Sequence, residues 1–359
     1  MSILKIINRI RRYIMSVTTK NLLSKHEFKT ITNNAKIKYI LICRPNSRLG
    51  NLLLITPLLL EIENTFPGAK IDLIIKGSLA KPLFKKYQSL ETVYELPNRP
   101  FKNPVNYLKS TYAVLRKKYD LVINASVDSS SGKIITQNSK ADYKTFGAPQ
   151  LVYWGDEGSF CHAAQKPILA IREMTGSRRK SKIPNLDLKL THQELETGKN
   201  ILRSICNNGK KNICIFTYAT GEKMHSKLWW NKLYLEMKIN LADFNIIEVL
   251  PLEKVSQVEF KAPTYFSNKL RELGAVIAAS DAFIGADSGI THLASSVKTP
   301  TIGLFNVTDE NMYGPYHEFS CSMNTNKYDQ LDVLSRLKTL LNATEEANNI
   351  GLKSGSKTF

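Results

Sequence analysis

The chain has 359 residues, 43% hydrophobic and 23% charged, ordinary globular usage that excludes collagenous, low-complexity and wholly disordered classes. Its 50 Lys and Arg against 31 Asp and Glu leave a formal charge of +19, which calls for an anionic partner: nucleic acid, a membrane surface or an acidic substrate. At about 150 residues per domain the length suggests two domains; no run approaches the roughly 18 uncharged apolar residues of a spanning helix, and no secretory core follows the basic start.

Residues 1–38 carry nine basic groups and one acid, Glu27, a local charge of +8. Ile3, Ile6, Ile7, Ile10, Ile14 and Val17 recur there at helical spacing, with Lys5, Arg9 and Arg12 on the other side. This is the pattern of a basic amphipathic extension, taken as residues 1–35, able to lie on an anionic bilayer or to pack on the protein itself. Alternating elements follow. Tyr39–Cys43 reads as a buried strand, Asn51–Thr65 as a helix, Ile71–Lys76 as a strand and Leu79–Tyr87 as a helix. Thr92–Leu96 is a strand, Pro104–Lys118 a helix and Asp120–Ala125 a strand. Strands alternating with helices argue for parallel βαβ units, whose strands are covered on both faces and so read as apolar runs.

From Ser126 to Lys189 the pattern is less regular; Ser129–Gly132 reads as a loop and Arg178–Lys182 as an exposed basic linker. The alternation then restarts: His192–Cys206 helix, Asn212–Tyr218 strand, Trp229–Leu241 helix, Asn245–Leu250 strand. Asn268–Ala279 is a helix, Ala282–Ala286 a strand, Thr291–Val297 a helix, Thr301–Phe305 a strand and Leu331–Leu341 a last helix before a loose polar tail from 342. The expectation is two Rossmann-like, doubly wound parallel-sheet domains, 36–185 and 186–341, facing a cleft where ligands bind beyond the strands' carboxyl ends.

The five cysteines, Cys43, Cys161, Cys206, Cys214 and Cys321, form no C-x-x-C pair and read as inert thiols of a reducing compartment. G-x-G-x-x-G after the first strand, G-x-x-x-x-G-K-[ST], H-E-x-x-H, Asp-x-Asp and G-x-S-x-G are all absent, which removes the anchors for nicotinamide, P-loop, zinc-protease, carboxylate-metal and esterase chemistry. What remains lies at strand-to-helix turns. Gly285-Ala286-Asp287-Ser288-Gly289-Ile290-Thr291-His292 ends a strand and opens a helix, so Ser288 and Gly289 offer amides at a positive helix end, where a diphosphate fits. Gly289 would let a ligand come close, Asp287 could cap the helix or accept from a ribose hydroxyl, and His292 lies in reach; an ordinary capped helix start is the plain alternative. The second turn, Thr220-Gly221 to Trp230, holds Lys227 just before a helix as a point charge for phosphate; solvated surface is the alternative for Lys223 and Lys227. The third, Arg44 to Asn51, sets Asn51 at a helix start, as a site residue or a simple cap, with Arg44, Arg48 and Gly50 before it.

The three turns together resemble the lipopolysaccharide heptosyltransferases, glycosyltransferase family 9, over about Lys36 to Tyr316. The likeness is carried by Asp287-Ser288-Gly289-x-x-His292-Leu293-Ala294 with Pro300-Thr301, Leu304-Phe305 and Thr308-Asp309, by Leu49-Gly50-Asn51-x-x-Leu54-x-x-Pro57 with Phe66-Pro67-Gly68-Ala69-Lys70-Ile71, and by Lys227-x-Trp229. The resemblance implies a GT-B architecture and an inverting transfer from a nucleotide-sugar, typically ADP-heptose, to a hydroxyl of a phosphorylated glycolipid, without metal or other cofactor. It assigns Lys227 to donor phosphate and Asp287, Ser288, Gly289 and His292, with Thr220 and Gly221, to the donor site. It implies a cytoplasmic enzyme, peripheral at the inner face of the cell membrane. One departure is chemical: the family has Asp where this chain has Asn51, and an amide can orient a hydroxyl but takes no proton. Asp128, after the fourth strand, is the candidate base; a slower reaction with water or a donor phosphate oxygen taking the proton is the alternative. Another GT-B sugar-nucleotide enzyme (a non-heptose transferase or an epimerase) and a non-catalytic sugar-nucleotide binder are the competing readings. A nucleic-acid binder would rest on charge alone, without an aromatic stacking pattern.

Overall fold

The computed structural model describes residues 29–32, 34–99, 102–126, 129–146, 162–177 and 182–355. The expected basic N-terminal extension, for the most part, Asp128 and most of the basic linker lie outside the described residues. The chain forms two compact units: one holds the segments up to Ser47 and from Pro57 to Pro184, the other Arg48–Thr56 and everything from Asn185 on.

The first unit is built on β1 (Tyr39–Arg44), β2 (Lys70–Lys76), β3 (Leu90–Leu96), β4 (Lys118–Asn124) and β5 (Lys140–Thr145), in the order β3-β2-β1-β4-β5. Every pair is parallel, with Ile40 beside Ile71 on one side and Leu121 on the other. In the central strands the apolar runs are buried on both faces, as parallel sheets require. Leu41, Cys43, Ile74, Tyr119, Val122 and Ile135 form one core layer with Val114 of a covering helix. After β1 the chain forms α1 (Leu49–Leu53), which belongs to the second unit; around the first sheet lie α2 (Thr56–Thr65), α3 (Ala80–Phe84), α4 (Pro104–Arg116), α5 (Ser130–Asn138) and α6 (Lys166–Met174).

The helix expected over Asn51–Thr65 is two helices. Pro57 has no N–H to give the Leu53 carbonyl, which instead takes the Thr56 hydroxyl at 2.8 Å. The expected loop at Ser129–Gly132 is a helix start: the Ser129 hydroxyl accepts from the Gly132 amide at 3.1 Å and caps α5. Strand β5 reads as polar because it is an edge strand, half exposed.

The second unit contains α7 (His192–Ile205), β6 (Lys211–Phe216), α8 (Lys227–Asn240), β7 (Phe244–Val249), β8 (Thr264–Tyr265), α9 (Leu270–Ala278), β9 (Ala282–Ala286), α10 (Gly289–Ser296), β10 (Thr301–Phe305), α11 (Glu310–Tyr313), β11 (Ser320–Asn324) and α12 (Gln330–Gly355). Its sheet runs β11-β10-β9-β6-β7-β8, again all parallel. Arg271 on α9 is buried and grips Glu194 through two bonds of 2.7 Å, while donating to the carbonyls of Leu188 and Lys189. Glu194 also closes the capping box of α7 with Thr191, so one carboxylate caps a helix and neutralises a buried guanidinium. The tail expected to be loose from 342 continues α12 to Gly355. Ala343, Glu345, Glu346 and Ala347 favour helix, Thr344 bonds back to Leu340, and Glu345 pairs with Lys211 at 3.1 Å.

Candidate functional site

In the second unit the strand order reverses between β6 and β9, which lie side by side with Phe216 next to Gly285. Loops leaving adjacent strands in opposite directions open a crevice at their carboxyl ends. Two of the three turns singled out in the sequence leave from there: 217–226 after β6, and Asp287-Ser288 after β9.

The β9 turn is a compact helix start. The Ser288 hydroxyl accepts from the Ile290 amide at 3.2 Å, so Ser288, not Asp287, is the cap. Thr291 is buried and donates to the Ala286 carbonyl at 2.7 Å, tying the helix to the strand it follows. Asp287 is 8% exposed and meets Lys223 at 2.7 Å. Lys223 closes the 3-10 turn Gly221–Lys223, where Gly221 takes a φ of +66°, a conformation that favours glycine. A carboxylate, an ammonium and a helix amide end thus converge on the switch point.

The β6 loop is pinned at three places. At its root, Thr217 donates to buried Glu248 at 2.6 Å and accepts from the Gln257 amide, joining the loops after β6 and β7. Burial pushes the Glu248 carboxyl above its ordinary value, against the opposing hydrogen bonds of Ser256, Thr217 and the Gln257 backbone. In the middle, the Asn306 amide donates to the Glu222 carbonyl at 3.0 Å. Near the end, His225 shares a 2.7 Å hydrogen bond with Thr325 and packs against Trp229 at 4.6 Å between ring centroids; burial holds its imidazole below the usual histidine value. Lys227 follows as the first residue of α8, capped by Ser226. Its side chain is 61% exposed and lies 3.9 Å from Glu259. The ammonium at Asp287 is therefore that of Lys223. Thr220 is exposed at the same loop.

The third turn divides between units. Arg44 is buried at the end of β1, and its guanidinium donates to the Ala125 carbonyl at the end of β4. Arg48 is exposed and precedes α1, which belongs to the second unit and packs on α10. That contact explains both glycines. A Cβ on Gly50 would stand 2.5 Å from His292 Cδ2, and one on Gly289 would stand 2.8 Å from Leu49 Cβ and 3.0 Å from the Gly50 amide. The room beside Gly289 is thus filled by Leu49 rather than kept for a ligand. Asn51 sits half buried in the first turn of α1, on the same short helix that touches His292.

A feature missed in the sequence lies in the first unit. A cavity of about 710 Å³ opens at the carboxyl ends of β2 and β3 and the start of α4, with Arg99, Lys102 and Lys109 and the amides of Asn98, Asn103 and Asn106 on its walls. The signal was present: residues 96–119 hold six Lys and Arg and no acid. Among the described residues no three His, Cys, Asp or Glu side chains gather as a metal-ligand set, and no helix is long and apolar enough to cross a membrane.

Comparison with known proteins fixes the family. Lipopolysaccharide heptosyltransferase 3 of Escherichia coli K12 is 27% identical over 298 residues, covering 75% of this chain and 83% of that protein. Two solved structures share the fold: a family 9 glycosyltransferase of Veillonella parvula (TM-score 0.70, 15% identity, 87% of this chain and all of that one) and the E. coli ADP-heptose lipopolysaccharide heptosyltransferase II (TM-score 0.64, 14% identity, 86% and 99%). The model of glycosyltransferase family 9 (heptosyltransferase) matches residues 108–341, more than half of the chain, and this protein belongs to that family of glycosyltransferases.

Proposed function

We infer that this enzyme moves a heptosyl group from ADP-heptose to a hydroxyl of a phosphorylated, lipopolysaccharide-type glycolipid, with inversion and without a metal. The observation that carries the reading is the Lys223–Asp287 pair beside the start of α10, at the switch point of a family 9 chain. When the glycosidic bond breaks, its electron pair leaves with the diphosphate, which gains one negative charge beyond the two it already carries. First-turn amides of α10 and a nearby ammonium answer that charge without reorganising, and so take the part a divalent cation plays elsewhere. Lys227, exposed and loosely paired, is the lysine free to swing onto phosphate, while Lys223 holds Asp287 in place for a donor hydroxyl.

On the acceptor side, Asn51 orients the attacking hydroxyl and Asp128 takes its proton. The cavity at α4 suits a sugar bearing phosphate: three cations answer the charge and three amides answer hydroxyls. The relatives support the substrates, one named as an ADP-heptose lipopolysaccharide heptosyltransferase and one as a lipopolysaccharide heptosyltransferase. The positive charge of segment 1–35 supports a cytoplasmic enzyme drawn to the anionic inner leaflet.

The test is a panel of ADP-, UDP- and GDP-sugars, read by thermal shift and then by transfer to extracted lipopolysaccharide cores. ADP-heptose should give the largest shift and a product of inverted configuration, unchanged by chelator. A donor complex with no product on any core would identify a sugar-nucleotide binder instead. Asp128→Asn should lower turnover more than donor affinity; equal turnover removes Asp128 as base.

A further inference from the structure

Helix α4 carries its core contacts on one side, through Tyr107 and Val114. On the other side Val105, Leu108 and Tyr112 are 74%, 65% and 63% exposed. Large apolar side chains at i, i+3 and i+7 on the solvent side of a helix form a contiguous unpartnered stripe. The stripe is interleaved with cations. Lys102, Val105, Lys109, Tyr112 and Arg116 follow one another at spacings of three and four, and all five are exposed. Arg116 lies 5.5 Å from the centre of the Tyr112 ring. No acid occurs between Glu95 and Asp120, against six Lys and Arg.

We propose that this outward row of α4 is a seat for an anionic phospholipid bilayer. The interleaving selects that partner. Valine and leucine reach the acyl boundary, tyrosine sits at headgroup depth, and the long stems of Lys102, Lys109 and Arg116 bend their charges back to lipid phosphates. Each cation near such a surface adds attraction of its own. A second copy of the same face would bring three cations against three cations, which opposes self-association. A nucleic acid would use the charge and leave the apolar side chains in water.

The row runs along α4 from the residues just before it, and Lys102, Asn103, Asn106 and Lys109 of this stretch line the 710 Å³ cavity. A bilayer under α4 therefore presents glycolipid headgroups at the mouth of that cavity. This last step rests on the glycolipid reading of the acceptor; the seat itself does not.

The experiment uses the full chain and a triple variant, Val105→Ser, Leu108→Ser and Tyr112→Ser. None of the three lines the cavity, and their exposure leaves the fold unstrained. Co-flotation is measured with phosphatidylcholine vesicles, alone and with phosphatidylglycerol. Wild type should bind the anionic vesicles and not the neutral ones. The triple variant should bind about tenfold to hundredfold more weakly, from three lost apolar contacts. Transfer to a delipidated core saccharide should be equal in both proteins, while transfer to vesicle-borne glycolipid falls in the variant. Equal flotation of wild type and variant overturns the seat. So does a wild-type dimer that the variant dissolves, which would make the stripe a protein interface. Lost flotation in the variant, with no transfer by wild type to any glycolipid, keeps the seat and overturns the acceptor reading.

Discussion

At the carboxyl ends of β1 and β4, Arg44 is buried and its guanidinium donates to the Ala125 carbonyl. At the carboxyl ends of β6 and β9, Lys223 reaches Asp287 at 2.7 Å with 32% of its side chain still open to water. Both are the reversal points of doubly wound sheets, and both receive a cation. In the first, the charge is used inside the sheet, where it ties two strand ends together. In the second, the charge lies across a loop anchored by Glu248, Asn306 and Thr325, so an incoming anion can share it. Equal topology thus supplies two crevices, and they differ in how far their cation stays open to water.

Arg44→Met tests the first half of that contrast and carries the largest expected effect. Losing a charge-assisted buried hydrogen bond should cost about 2–3 kcal/mol of stability in urea unfolding followed by circular dichroism. Donor affinity should stay as in wild type; a matching loss of nucleotide binding would mean the two reversal points are not separate devices.

Gly289→Ala probes how tightly the second crevice is built. Its methyl group would stand 2.8 Å from Leu49 Cβ. Overpacking of this kind costs about 1–3 kcal/mol, and calorimetric titration with an ADP-sugar should weaken as α1 is pushed off α10. Wild-type stability and affinity together would show the close approach to be without consequence.

The two lysines can be separated. Lys223→Met and Lys227→Ala should each weaken ADP-sugar binding by about tenfold, or about 1.4 kcal/mol. Only Lys223→Met should also lower the unfolding midpoint, because Asp287 is buried whereas Lys227 and Glu259 are an exposed pair worth little. A midpoint shift in Lys227→Ala alone would reverse the assignment.

The smallest effect concerns pH. Glu248 binds its proton more tightly folded than unfolded, so the native state holds more protons above the ordinary carboxyl value of 4.5. Stability should therefore fall as pH rises from that value toward the raised one, and Glu248→Gln should flatten the fall. Thermal melts between pH 4 and pH 8 read it directly; an unchanged slope in the variant would assign the pH dependence elsewhere.

Much of the fold was legible because its cues are local. Ala282–Ala286 and Thr301–Phe305 are strands with the ends their apolar runs suggested. The polar edge strand β5, the two-residue β8 and the short α11 gave no such cue, since half-exposed or very short elements bury too little to leave a periodic trace. Pro57 was read only as part of a motif, though its missing N–H is what ends α1.

By itself the amino-acid order determined the alternation of strand and helix, the class of two parallel sheets, the family and the position of three strand-to-helix turns. All of these follow from neighbours a few residues apart, because apolar runs, caps and breakers act within one element. Only the tertiary structure decided that Lys223 meets Asp287, that Arg48–Thr56 joins the second unit through two glycines, that Arg44 is buried, and that α4 turns apolar side chains outward. Those outcomes depend on which strands become neighbours, and β6 lies against β9 only because the three crossovers through β7 and β8 place it there.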